Sequence, residues 1–188
     1  MANLTYAFRN VGDVPGVIVE AGVGRGFTLT MIALLRDDLC PNRQIFAYDS
    51  FLGFPSHATA AGRPVGGQRA HPLATVEDTL KRARVRTAGG GVQFFPGYFS
   101  ETCPEYDYGS ISFLHIDVDL GESYRDVLEN LYPHVSPGGL VLFDEYDSPP
   151  VRKKWPDAKP AIDAYLKDEH FEDMKTLFGE QRLVRKLE

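Results

Sequence analysis

The stretch VIVEAGVGRG, residues 17–26, places an acid near the end of an apolar strand and follows it with alternating glycines. The acid is Glu20, and the glycines are Gly22, Gly24 and Gly26. Glycines after a first strand let backbone N–H groups approach a ligand closely. Dinucleotide-binding folds use the spacing GxGxxG to seat a pyrophosphate, whereas this loop reads GxGxG after an acid that would repel one. The stretch therefore favours a ligand with an ammonium and a sulfonium, such as S-adenosylmethionine, over a tight turn with an exposed glutamate.

Apolar runs alternate with helix-like stretches along the rest of the chain. We predict strands over 16–21, 44–50, 91–97, 110–119 and 139–146, and a weaker closing pair around Gly179. We predict helices over 27–39, 74–85, 123–135 and 158–168. This alternation indicates an α/β fold with a mostly parallel seven-stranded sheet and helices on both faces. Such sheets bind ligands beyond the carboxyl ends of their strands, where the strand order reverses.

Acidic residues dominate the carboxyl ends of the predicted strands. The residues at these ends are Glu20, Asp49, Gly97, Asp117, Asp144 and Glu145. A sheet core does not need acids at its strand ends, so the pattern points to a ligand site. Asp49 is placed to accept hydrogen bonds from two ribose hydroxyls, a role that occurs in sites for both NAD and S-adenosylmethionine.

A second group of acids lies on the fourth and fifth predicted strands. Asp117 ends one, and Asp144 and Glu145 end the next, 27 residues later. Neighbouring parallel strands lie about 5 Å apart, so three carboxylates would converge and raise at least one pKa. Mg²⁺ would relieve that repulsion, whereas no His/Cys cluster suggests zinc. The alternative is helix capping by Asp119 and its neighbours. His115 shares a strand face with Asp117, and we favour a packed, hydrogen-bonded core histidine over a site residue.

The segment 52–75 interrupts the alternation and is rich in Gly, Pro and Ala. Long loops in compact domains are typically lids, binding loops or disordered stretches. We predict a mobile lid over the ligand cleft, with an idle insertion as the alternative.

Length and composition limit the classes of protein. The 188 residues, 43% hydrophobic and 24% charged, suit one globular domain over 1–188. A net charge of −6 argues against nucleic-acid binding. No apolar run is long enough to span a membrane, and the first residues do not resemble a signal peptide. Cys40 and Cys103 are expected to be idle thiols in a reducing cytoplasm.

Four segments together resemble the macrocin O-methyltransferase family, the TylF/MycF/NovP-like class I methyltransferases. They are VEAGVGRGFT, FAYDSFLGFP, LHIDVDLGESYRDVLENLYPHVSPGGLVLFDEYD and WPDAKPAIDAYL, within about residues 16–170. The resemblance implies a Rossmann-like fold and methylation of a hydroxyl on a sugar or glycosylated small molecule, with S-adenosylmethionine and Mg²⁺. It implies that Asp117 is general base and metal ligand, and that Asp144 and Glu145 complete the metal site. The candidate donor-binding residues are Glu20, Gly22, Gly24, Gly26, Thr28, Asp49, Ser50, Gly97 and Tyr98.

Three features depart from the family pattern. Gly121 stands where the family has tyrosine in DLYES, which we expect to open space or loosen the loop near the metal. Glu145 replaces the second acid of an Asp-Asp pair. About 15 residues precede the first strand, so we expect an open site, a large substrate, or cover from a partner subunit, and a homodimer is possible.

Two other functions compete with methyl transfer. One is an NAD(P)-dependent oxidoreductase on a similar sheet, and the other is a cofactor-binding protein without turnover. The acceptor itself is not identified by the sequence. The aromatic residues that could either stack on it or belong to the core are Trp155, Tyr146, Phe51, Phe54 and Tyr98.

Overall fold

The computed structural model describes residues 2–87, 91–176, 179 and 181–188. The strands are β1 Val17–Ala21, β2 Ile45–Asp49, β3 Thr59–Ala60, β4 Arg63–Pro64, β5 Val92–Pro96, β6 Ile111–Ile116, β7 Val135–Phe143, β8 Phe171–Met174 and β9 Arg182–Lys186. The helices are α1 Ala2–Val11, α2 Phe27–Leu39, α3 Leu73–Arg82, α4 Phe99–Thr102, α5 Gly121–Leu131, α6 Pro149–Lys154 and α7 Ala158–Leu166. Short 3₁₀ turns follow α4 and α5. None of the described helices has the length and apolar character needed to cross a bilayer.

Seven strands form one sheet in the order β5-β2-β1-β6-β7-β9-β8. The first five of these strands run parallel, and β8 and β9 join antiparallel. The predicted α/β fold with a mostly parallel seven-stranded sheet is therefore confirmed. The chain builds outward from β1 through β2 to β5 and then returns to β6 on the other side of β1. The strand order thus reverses between β1 and β6, where a ligand cleft is expected.

Helices cover both faces of the sheet, so alternate residues of the central strands are buried on opposite sides. Ile18 of β1 packs in the core beneath α1, α2 and α3. Val19 and Ala21 pack in the core beneath α5 and α7. A strand buried on both faces has an almost continuous apolar sequence, which is why β1 and β6 are recognisable in the sequence.

Several boundaries and elements differ from the prediction. The strand predicted over 139–146 begins earlier, at Val135, because the Ser-Pro-Gly-Gly segment continues the strand beyond a register irregularity opposite Ile111. The predicted helix 123–135 ends at Leu131, since the 3₁₀ turn that follows contains Pro133, which has no N–H to donate. Helix α1 was not predicted, although its apolar residues recur at helical spacing: Leu4, Ala7, Phe8 and Val11.

The segment predicted as a lid over 52–75 is partly ordered by its own contacts. It contains the small hairpin of β3 and β4. Ala58, Ala60 and Val65 are buried against the α5 side of the core. The start of α3 at Leu73 closes the segment. Its mobility stays a prediction, whereas its apolar anchors show why a long loop can hold a defined position.

Candidate active site

A cavity of about 920 Å³ lies at the carboxyl ends of β1, β2 and β6, where the strand order reverses. Its walls are the glycine loop, the segment after β2 and the turn after β6. Seven of the candidate residues line it: Gly22, Gly24, Thr28, Asp49, Ser50, Tyr98 and Asp117. Ligand pockets are typically about 300–1,000 Å³, so this cavity has room for a nucleoside-sized donor and part of an acceptor.

The glycine loop touches the end of β6 because Gly22 has no side chain. A Cβ at Gly22 would lie 1.8 Å from the carbonyl oxygen of Asp117, and its φ is +89°. Around this contact, Gly22 N donates to Tyr48 O and Asp117 N donates to Ala21 O, both at 2.9 Å. Gly26, with φ +79°, is the N-cap residue that precedes helix α2. The loop is thereby fixed between β2 and β6 with its backbone at the cavity.

Asp49 holds the glycine loop in place. Its Oδ2 accepts from Val23 N at 2.8 Å and from Gly24 N at 3.0 Å, while its Oδ1 accepts from Phe51 N at 2.8 Å. A carboxylate has about four acceptor positions, so three are used here. Gly97 N donates to the Asp49 carbonyl at 3.1 Å, which ties β5 to the same corner. The predicted contact of Asp49 with ribose hydroxyls stays a prediction, beside this structural role.

Glu20 is not among the residues that line the cavity. Its side chain is fully buried, and its Oε1 lies 3.3 Å from His115 Nδ1. His115 is therefore a packed core histidine with a hydrogen-bond partner. Strand alternation explains the placement, because Glu20 shares the face of Ile18 beneath α2. The structure thus does not bring this carboxylate to the cavity wall, where the sequence pattern had placed it against a cationic donor.

The buried Glu20 makes stability depend on pH. Burial raises the pKa of Glu20 to about 7, although the hydrogen bond and charge of His115 oppose the rise. The folded protein therefore keeps a proton that the unfolded chain releases above about pH 4.5, so stability falls as pH rises toward 7. Glu20 alone should lower the stability by on the order of 3 kcal/mol between pH 4.5 and 7.5.

Urea unfolding at stepped pH measures this effect. The Glu20→Gln variant should lose less stability than wild type by about that amount, because only the titration of Glu20 is removed while Asp117, Asp119 and Glu145 still titrate. Glu77→Gln, on the exposed side of α3, is the matched control and should follow wild type. Parallel profiles for wild type and Glu20→Gln would contradict the assignment.

Three carboxylates converge at the ends of β6 and β7. Oxygens of Asp117, Asp119 and Glu145 lie within 4.8 Å of one another. The sequence predicted Asp144 in place of Asp119, but the Asp144 carboxylate accepts a hydrogen bond from Gln181 Nε2. Strand β7 ends at Phe143, so Asp144 and Glu145 lie in the bend that follows; Glu145 joins the group there, and Asp144 borders it. The spacing of Asp117 and Asp119, two residues apart, was the missed signal.

Burial and mutual repulsion raise the pKa values of the three carboxylates in this cluster. The pKa of Asp117 is raised by burial and by the charge of Asp144, which borders the group. Burial raises the pKa of Asp119 to about 6 against the opposing charge of Arg69. The pKa of Glu145 is raised by burial and by Asp117, even though the Tyr124 hydroxyl donates to its Oε2 at 2.7 Å. An all-oxygen group of this kind fits a hard divalent cation such as Mg²⁺.

Helix capping does not account for these acids. The residue preceding α5 is Leu120, and no side chain caps the helix.

Gly121 also differs from expectation, because it opens no space. A Cβ there would lie 2.6 Å from the carbonyl oxygen of Asp157, so the backbone before α7 fills the position. Gly121 allows close packing beside the acidic cluster.

Of the five aromatic candidates, two reach the cavity. Phe54 and Tyr98 line it. Trp155 lies behind Phe54, with ring centroids 5.6 Å apart in an edge-to-face contact. Phe51 packs on Phe94 in the core. Tyr146 donates its hydroxyl to Asp163 at 2.8 Å, away from the cavity.

A family model described as macrocin-O-methyltransferase (TylF) matches residues 1–170. The chain belongs to the macrocin O-methyltransferase family. It is 37% identical over 155 residues, 77% of the chain, to a tetracenomycin 4'-O-methyltransferase of Streptomyces olivaceus that acts on a 2,3-dimethoxy-rhamnosyl derivative. The match spans 59% of that relative's length.

Solved structures agree with this membership. The O-methyltransferase NovP superposes with a TM-score of 0.79 at 26% identity, covering 99% of this chain and 78% of that one. A TDP-rhamnose 3'-O-methyltransferase of calicheamicin biosynthesis superposes with a TM-score of 0.72 at 26% identity, covering 97% and 76% of the two chains. The predicted Rossmann-like class I methyltransferase fold is confirmed for this family member.

Proposed function

We propose that this protein transfers a methyl group from S-adenosylmethionine to a hydroxyl of a sugar or glycosylated small molecule, with a bound divalent cation. The observation that carries the proposal is the close approach of the glycine loop to the backbone of Asp117, whose side chain belongs to the carboxylate cluster. Gly22 and Asp117 line one cavity, and their backbones lie so close that a Cβ on Gly22 would fall 1.8 Å from the Asp117 carbonyl oxygen. A donor on the loop and an acceptor at the carboxylates would therefore meet.

The donor side is built from backbone groups and short side chains. We assign the nucleoside to the region between the glycine loop and Asp49, with Ser50 and Tyr98 beside it. Thr28, in the first turn of α2, lies at the same wall. The loop itself is held by Asp49, so its N–H groups are fixed before a ligand arrives. Such prior organisation lowers the ordering cost of binding.

The acceptor hydroxyl needs to lose its proton before it can attack a sulfonium methyl. Asp117 is the base that we assign to this step, because it lines the cavity beside the glycine loop and can reach an acceptor hydroxyl there. A divalent cation on Asp117, Asp119 and Glu145 would stabilise the developing alkoxide. The remaining acceleration comes from holding oxygen, methyl and sulfur in line, for which effective molarities reach about 10⁵–10⁸ M.

The names of two relatives suggest the acceptor. One acts on a rhamnosyl group of a tetracenomycin and another on TDP-rhamnose. We therefore propose a rhamnose-type sugar as the first acceptor to test, either free as a nucleotide sugar or attached to a small molecule. The net charge of −6 does not favour a nucleic-acid acceptor.

Donor choice and metal use are tested with the purified protein. We expect S-adenosylhomocysteine to raise the melting temperature and NADH to leave it unchanged, which separates methyl transfer from a dehydrogenase. With TDP-rhamnose or a rhamnoside as acceptor, EDTA should abolish transfer of labelled methyl, and excess Mg²⁺ should restore it.

The thermal-shift assay and the methyl-transfer assay test different parts of the proposal. Stabilisation by S-adenosylhomocysteine without methylation of any sugar would support a cofactor-binding protein without turnover. Full activity in EDTA would remove the metal from the proposal and leave the donor site intact.

A further inference from the structure

Arg69 is a basic side chain next to the carboxylate cluster. It belongs to the segment between β2 and α3, lines the active-site cavity, and is about half exposed. Its Nε lies 3.6 Å from Asp119 Oδ2, and the Asp119 side chain is only 14% exposed. The partner carboxylate is one of the three that we assign to the metal. Arg69 therefore supplies the larger of the positive charges that act on Asp119, and Lys154 supplies a smaller one.

The same arginine also lies against Trp155, which is the only tryptophan of the chain. The guanidinium carbon is 5.9 Å from the Trp155 ring centroid. Trp155 is 6% exposed and is covered on another side by Phe54. Phe54 N donates to Gln68 O at 2.9 Å, and this hydrogen bond joins the two ends of the loop 54–68. Arg69 directly follows the end of this loop. A shift of Arg69 would change the surroundings of Trp155.

We propose that Arg69 is a displaceable counter-ion, which competes with the divalent cation for Asp119. The proposal rests on the metal site of the proposed function. A guanidinium does not lose its proton in proteins, so it cannot adapt to an arriving dication by becoming neutral. It has to move. At 3.6 Å and half exposed, its pair with Asp119 is weak, whereas Mg²⁺ binds carboxylate oxygen at about 2.0–2.1 Å with twice the charge.

Arg69 is on this view a positioning residue. Before the metal binds, Arg69 pairs with Asp119 and keeps the end of the loop 54–68 next to Trp155. After metal binds, the guanidinium is released from Asp119 while it stays at the wall of the same cavity. Metal occupancy and the position of the loop that carries Arg69 are therefore coupled.

Calorimetric titration of Mg²⁺ into the protein saturated with S-adenosylhomocysteine tests this competition. We expect Arg69→Gln to bind Mg²⁺ about two- to fivefold more tightly than wild type, because no ion pair needs to break. Arg69→Lys, which keeps the charge, should lie between them. Lys154→Gln is the matched control: its Nζ lies 4.6 Å from the same Trp155 ring. It should change the affinity less than Arg69→Gln does.

Trp155 fluorescence supplies a second readout that does not depend on activity. Wild-type emission should change with Mg²⁺ at the calorimetric midpoint, and this change should be lost in Arg69→Gln. Equal or weaker Mg²⁺ binding by Arg69→Gln would overturn the competition and leave the metal site intact. An absence of Mg²⁺ binding in every variant would overturn both this proposal and the metal part of the proposed function.

Discussion

Replacement of Asp117 by asparagine is expected to slow methyl transfer by about 10²- to 10⁴-fold, the typical contribution of a positioned base. Asparagine keeps the shape of the side chain but cannot accept the proton of the acceptor hydroxyl. It also removes one charge from the carboxylate cluster, so Mg²⁺ should bind more weakly. Single-turnover transfer of labelled methyl to a rhamnose-type acceptor at saturating Mg²⁺ separates the chemical step from metal loss.

Donor affinity distinguishes a chemical defect from a folding defect. S-adenosylhomocysteine should bind Asp117→Asn nearly as well as wild type, since the backbone contact with Gly22 is unchanged. Asp126→Asn is the matched control, because Asp126 lines the same cavity but is not part of the carboxylate cluster. Its rate should stay near wild type. Wild-type turnover by Asp117→Asn would remove Asp117 as the base.

Replacement of Gly22 by alanine is expected to destabilise the fold by roughly 2–6 kcal/mol, the sum of an overpacking cost and a positive-φ cost. The added Cβ would lie 1.8 Å from the carbonyl oxygen of Asp117, which is backbone and has no rotamer to change. The loop after β1 and the end of β6 therefore have to separate. That movement opens the contact between donor loop and carboxylates, so affinity for S-adenosylhomocysteine should fall as well.

Gly24→Ala provides the control within the same loop. Gly24 also has a positive φ, +52°, but a Cβ there meets nothing within 4 Å. It should cost only about 1 kcal/mol, which is the backbone strain alone. Urea unfolding of both variants measures the difference. Equal losses would mean that backbone strain, and not the close approach to β6, makes Gly22 necessary.

The helices and strands nearest the site were predictable because their signals are local. Helix α2 spans Phe27–Leu39 as predicted, since Gly26 precedes it and Pro41 follows it in a segment of helical periodicity. The central strands are continuous apolar runs, which mark burial on both faces. The predicted strand over 139–146 excludes 136–138, which belong to β7 in the structure, because proline and glycine usually interrupt strands.

The site was predictable only in its outline. The expectation that acids gather at the strand ends follows from the alternation of strands and helices, and the carboxylates of Asp117 and Glu145 do lie near each other in the structure. The exchange of Asp144 for Asp119 was not predictable, because it depends on which side of the chain each carboxylate faces beyond the last paired residue. The position of Glu20 was missed for a similar reason. Its side chain lies on the same strand face as Ile18, where it contacts His115 and does not reach the cavity.

By itself, the sequence determined the parallel sheet, the glycine loop after its first strand, the edge where carboxylates collect, and the likeness to a family. These features depend on residues that are close together in the chain, so they can be predicted without knowledge of long-range contacts. Only the tertiary structure decided which carboxylates share one point, that Gly121 packs on Asp157, and that Arg69 lies between Asp119 and Trp155. Those contacts join residues far apart in the chain, and their distances are set by how helices and loops pack on the sheet.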